Sequence, residues 1–76
     1  MIKVPRKVYE GILAARDSGM FNMLDLPAIA GLTRQLGFDG AADWLNDPAN
    51  RKTYAQGIFT GFEPDDTAGN GAGSTR

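Results

Sequence analysis

Val4, Val8, Ile12 and Ala15 recur at the spacing of one helical face, with Tyr9 and Leu13 on its flank. Pro5 suits the first turn of that helix, where its missing N–H is not needed. Asp17-Ser18-Gly19 predicts the stop, because glycine takes the left-handed backbone that follows many helices. Met20 to Leu24 form an apolar connector, and its Phe21, Met23 and Leu24 are expected to plug the core. A second helix is expected from Asp25, whose carboxylate can cap the free N–H groups of a first turn that tolerates Pro27. Leu26, Ile29, Leu32 or Thr33, and Leu36 form its buried stripe, and Gly37 stops it. Asp39 is expected to cap a short third helix through Ala41, Ala42, Trp44 and Leu45. Asp47-Pro48 repeats the cap-plus-proline signal and opens a fourth.

In the fourth helix Tyr54, Ile58 and Phe62 lie four apart, with Ala55 and Phe59 beside them, so this face is expected to close over the first helix. Gly57 and Gly61 would each cost about 1 kcal/mol relative to alanine inside a helix. Close contact explains Gly57, and a helix end explains Gly61. No segment predicts a strand. From Glu63 the pattern vanishes into Pro64, two aspartates and a Gly/Ser/Thr-rich run, a composition that cannot bury apolar area. The expected architecture is an all-α bundle of three to four short helices over residues 1–62, with a disordered C-terminal tail over 63–76.

The 76 residues allow one small domain, of a size that folds with a marginal core. The chain has no cysteine and no histidine, which excludes disulfides and leaves no zinc ligand set. Net charge is -1. That balance is neither the strongly basic profile of a nucleic-acid binder nor the strongly acidic profile of a DNA mimic. No apolar run is long enough to span a membrane and no signal-peptide pattern opens the chain, so a cytoplasmic protein without membrane attachment is expected.

Candidate chemistry is sparse. Asp39, Asp43 and Asp47 could share a helical face and offer oxygens to a hard cation, but capping and solvation explain them without one. No metal site and no cofactor are therefore expected. Lys3, Arg6 and Lys7 form a basic cluster, and Arg51 and Lys52 open the last helix; if the two groups meet they make a small phosphate-binding patch. Leu26 to Trp44 fits a helix-turn-helix, yet its second helix offers Gly40-Ala41-Ala42-Asp43-Trp44-Leu45 where a base reader needs Arg, Lys, Asn or Gln. Gly69-Asn70-Gly71-Ala72-Gly73 follows no strand and opens no helix, unlike a phosphate loop. Catalysis lacks a histidine base, a thiol or an activated hydroxyl. Seven aromatics are many for so small a core. The plain reading makes each of them core; if one or two are exposed, Trp44 and Phe62 are the first candidates for anchors of an interface, with Tyr9, Arg6, Arg51 and Lys52 as further interaction candidates.

Val4-Pro5-Arg6-Lys7-Val8-Tyr9-Glu10-Gly11-Ile12, Arg16-Asp17-Ser18-Gly19, Asn22-Met23-Leu24-Asp25, Leu36-Gly37-Phe38 and Tyr54-Ala55-Gln56-Gly57-Ile58-Phe59-Thr60-Gly61-Phe62 together carry a resemblance. Across residues 4 to 62 the chain resembles a family of very short proteins carried by bacteriophages and prophages, classed as a domain of unknown function. The resemblance implies expression inside a bacterial host. It also implies a non-enzymatic protein that binds a bacterial host or phage protein. A homodimer is a further expectation, since association would support a small core and cover spare aromatics. A small helix-turn-helix-like DNA-binding accessory protein is the alternative, and a structural virion or assembly component a third.

Overall fold

The structure, a computed structural model, describes residues 1–65. The chain runs through strand β1 (Ile2–Pro5), helix α1 (Arg6–Ser18), helix α2 (Leu26–Gln35), helix α3 (Asp39–Asn46), a single 3-10 turn (Pro48–Asn50), helix α4 (Arg51–Thr60) and strand β2 (Phe62–Asp65). It is mostly helical, but the all-α expectation needs correcting. β1 and β2 pair in parallel, with Ile2 opposite Phe62 and Pro5 opposite Asp65. The Ile2 N–H donates to the Gly61 carbonyl at 2.9 Å.

Each strand is four residues long, too short to declare a period of two. Val4 satisfies the helical spacing of Val8 and Ile12, yet it is a strand residue that points into the core. Pro5 is therefore not in the first helical turn but one residue before it, with extended backbone. Residues opposite each other in a parallel pair face the same side, so Phe62 and Pro64 follow Ile2 and Val4 inward. The backbone of Pro64 faces away from β1, because Ile2 bonds to the residue before its partner. A proline belongs on such an edge, where no ladder donor is lost. Glu63, Pro64 and Asp65 thus belong to the sheet rather than to a structureless tail. Residues 66–76, with the glycine-rich run, lie outside the described residues.

The helix boundaries follow the sequence closely. Gly19 ends α1 with φ 65°, and its N–H donates to the Arg16 carbonyl. Asp25 caps α2 by accepting from the Ala28 N–H at 3.3 Å. At the other end Gly37 takes φ 93° and donates to the Arg34 carbonyl, while the Phe38 N–H reaches back to Thr33 at 2.8 Å. Those two reciprocal bonds satisfy carbonyls that the helix end would otherwise leave open. Asp39 does not cap α3: it is the first helical residue, and Phe38 holds the cap position without a side-chain bond. Asp47 does cap, accepting from Ala49, but the turn it opens is 3-10 before α4 begins.

The core joins Val4, Val8, Ile12, Ala15, Ile29, Ala30, Leu32, Leu45 and Tyr54. Leu36 falls just past the end of α2 and is exposed; Ala30 and Thr33 are buried on that helix beside Ile29 and Leu32. Thr33 has its hydroxyl bonded to the Ala30 carbonyl at 2.8 Å. The α4 face does not simply cover α1. Gly57 lies under the ring of Phe62, so the close approach expected there is to a strand residue rather than to a helix. The Tyr54 and Phe62 rings pack at 5.7 Å between centroids, tilted by 35°.

Gly11 marks the closest helix approach. A Cβ added there would lie 2.5 Å from the Ala41 Cβ and 3.1 Å from that of Phe38, so α1 and α3 would have to separate. Gly31, exposed on α2, would meet nothing. Gly31→Ala should therefore stabilise the protein by up to about 1 kcal/mol. Gly11→Ala should destabilise it by about 1–3 kcal/mol through overpacking. Thermal unfolding of the two variants should move in opposite directions.

Candidate functional site

The connector between α1 and α2 is where structure and sequence expectation part most sharply. Phe21 and Leu24 do not plug the core: they are 44% and 60% exposed, and Met20 beside them is 63% exposed. Met23 alone of the predicted plugs packs against the core. The reason is local hydrogen bonding. The Ser18 hydroxyl donates to Ala15 and accepts from the Met20 N–H. Asn22 accepts the Leu24 N–H on its side chain at 2.9 Å and the Asp25 N–H on its backbone carbonyl at 2.9 Å. Asn side chains stabilise turns in this way. The Tyr54 hydroxyl donates to the Met23 carbonyl from across the core. With its backbone held in tight turns, the connector has room to bury one side chain, and the other three face water.

Two depressions flank this ridge. On one side is a cleft of about 340 Å³ between α1, the connector, α4 and the strand ends, walled by Ile12, Leu13, Met23, Ile58 and Phe62. Tyr9 and Arg16 give it its polar rim, and Arg16 is the charged side chain lining it. On the other side Leu24, Leu26, Pro27 and Leu45 line a shallower depression with Asp25 and Arg51.

The predicted interaction residues are scattered. Tyr9 lines the cleft and Phe62 forms part of its wall. Trp44 and Phe62 are not exposed as expected: both are half-buried and packed against the core. The exposed aromatics are Phe21 and Phe59, the latter 80% exposed. Lys7 and Arg51, one from each basic group, border different depressions: Lys7 one with Glu10 and Asp39, Arg51 the one beside Leu24 and Asp25. Arg6 opens α1 and is already engaged by a neighbour. Lys52 follows Arg51 in the exposed first turn of α4.

α2 and α3 do pack as consecutive helices, but the outer face of α3 is acidic. Arg34 holds Asp43 at 2.7 Å and lies 3.7 Å from Asp39. The Asp43 hydrogen bond, ahead of its charge and that of Asp39, raises the Arg34 pKa. Asp39 and Asp43 therefore face a guanidinium, and Asp47 faces the Ala49 N–H, rather than one another. Among the described residues no group of three His, Cys, Asp or Glu is placed to hold a metal ion. No helix among them is long and apolar enough to cross a membrane.

Tyr54 is the perturbed titratable group of the interior. Burial pushes its phenol up to about 12. Because the folded pKa lies above the ordinary value, the stability linked to this group is complete below about pH 10 and is lost as pH rises towards about 12. Tyr54→Phe should cost about 1–2 kcal/mol at neutral pH by leaving the Met23 carbonyl unpaired. The variant should also lose less stability than the parent between about pH 10 and 12. Urea unfolding at neutral and alkaline pH checks both.

No curated protein and no solved structure matches the chain. A family pattern does, over residues 4–62 of the 76, from the buried Val4 of β1 to the Phe62 that closes the cleft. With most of its length matched, the chain belongs to the family described as a domain of unknown function, DUF5049.

Proposed function

We propose that this is a small non-enzymatic binding protein, encoded by a bacteriophage or prophage, that attaches to a protein of the bacterial host or of the phage in the host cytoplasm. The observation that carries this reading is the connector, where three large apolar side chains within five residues face solvent on a backbone held by turns. Single exposed apolar residues are ordinary, but a contiguous group marks an interaction surface. Rigid presentation matters too, since little side-chain or backbone freedom is then lost on binding.

The polar groups of the interior are engaged in holding the fold. Thr33 and Tyr54, the polar side chains drawn into the core, both donate to backbone carbonyls. Among the described residues no buried side-chain nitrogen or oxygen lacks a partner. The helix-turn-helix alternative draws less support, because Asp39 and Asp43 occupy the exposed side of the would-be reading helix and would oppose phosphates. A virion component would use the same surface against a phage protein. A second copy of this chain is a further partner, since association would cover the exposed connector.

A tagged full-length chain, drawn through bacterial host lysate with and without nuclease, tests the reading. A stoichiometric protein should be retained in both. Phe21→Ser with Leu24→Ser should lose it while stability stays within about 0.5 kcal/mol, as for ordinary surface changes. Capture that vanishes with nuclease, or that ignores the double substitution, would argue against the proposal.

A further inference from the structure

Resting on the protein-binding reading above, we infer that the cleft beside the connector is a docking groove for an acidic peptide segment of the partner. One large aliphatic or aromatic side chain of that segment enters the cleft, and a neighbouring carboxylate pairs with Arg16.

Size, polarity and charge each narrow the occupant. The cleft holds about 340 Å³, at the lower end of ligand sites. That volume suits a single large side chain and not the width of a helix, about 10 Å or more. Polar and apolar atoms share its lining, and Ile12, Leu13, Met23, Ile58 and Phe62 supply the apolar part against which such a side chain can pack. Met23 is unbranched and can adjust to whichever anchor arrives.

Arg16 sets the sign. It is charged, at the rim, and no carboxylate side chain lines the cleft with it. Its present ion pair is through Nε to Asp17 at 3.8 Å, with the two side chains 63% and 76% exposed. An exposed pair at that distance contributes little and yields readily. A carboxylate arriving with an apolar anchor would sit against the cleft wall, where water screens less and the guanidinium fork can bind both oxygens. A basic segment would meet Arg16 with like charge and be rejected.

The test is selection of peptides from a displayed random library on the immobilised full-length protein. Selected peptides are then synthesised and titrated by fluorescence anisotropy against the parent, Arg16→Glu, and the Phe21→Ser, Leu24→Ser variant. Enriched sequences should join a large apolar residue to Asp or Glu. Their affinity should fall about tenfold or more in Arg16→Glu, the effect of removing a well-placed charge pair. Replacing the peptide carboxylate by Lys should restore binding to Arg16→Glu. Arg16 is exposed, so circular dichroism should show that the variant stays folded.

Enrichment of basic or uncharged peptides, binding that ignores Arg16→Glu, or no enrichment at all would overturn the docking assignment. So would sedimentation showing that a second copy of the chain, and not the peptides, occupies the cleft. Host-protein capture that is lost in the connector variant but kept in Arg16→Glu would defeat this inference alone. The broader protein-binding proposal would then stand.

Discussion

The parallel pairing of β1 with β2 is the constraint on which the rest of the molecule depends. It joins Ile2 to Phe62, so the whole helical module is the crossover between two neighbouring strands. Closing a loop of that length is entropically unfavourable, though the penalty grows only slowly with length. Two strands alone in water would not repay it. Here the inward side of the pair is covered: Val4 is buried in the core, and Phe62 lies over Gly57 and against Tyr54. Apolar burial therefore supports the strands, and the strands fix where that burial occurs. Because Phe62 is also a wall of the cleft, the cleft exists only while the strands are paired.

Much of the helical skeleton was legible in single residues with a definite backbone role. Asp25, Gly19, Gly37 and Asp47 mark ends because their side chains or their tolerance of positive φ satisfy particular peptide groups. Gly57 was legible as a close contact, since a glycine inside a helix needs a reason; its partner was not, because Phe62 continues the same helical spacing as Tyr54 and Ile58. The strands were hidden for the same cause. Val4 and Phe62 each sit where a helix period and a strand position coincide, and four residues cannot break the tie. Asp39 shows the limit of capping signals: it lies one residue too late to cap, and Arg34 takes its carboxylate instead.

The candidate site was less legible than the fold, and the failure is instructive. Hydrophobicity alone assigns Phe21 and Leu24 to the core, whereas the structure exposes both; the number of aromatics suggests a surface place for Trp44, which the structure half-buries. What decides the connector is the polar residues around it. Ser18 and Asn22 bond to nearby backbone N–H groups and bend the chain within a few residues. A backbone committed to such turns can direct few side chains inward. The sequence signal was present in the Ser-Gly and Asn positions, but it concerns the backbone and says nothing of its apolar neighbours.

The link between core and connector explains how so small a protein can hold an apolar ridge in water. Loops generally owe their order to the elements they join, and a short one bearing Met20, Phe21 and Leu24 would gain by collapsing onto the core. Tyr54 opposes that collapse. Its ring is fixed between the helices and Phe62, and its hydroxyl holds the Met23 carbonyl, pinning the centre of the connector while Met23 fills the space beneath. Phe21 and Leu24, on either side of that pinned point, stay on the outer side of the turns. On this argument the pairing of the strands, the seating of Phe62, the placement of Tyr54 and the outward ridge form one chain of dependence. A change that loosens Phe62 should be felt at Phe21 although the two belong to different elements.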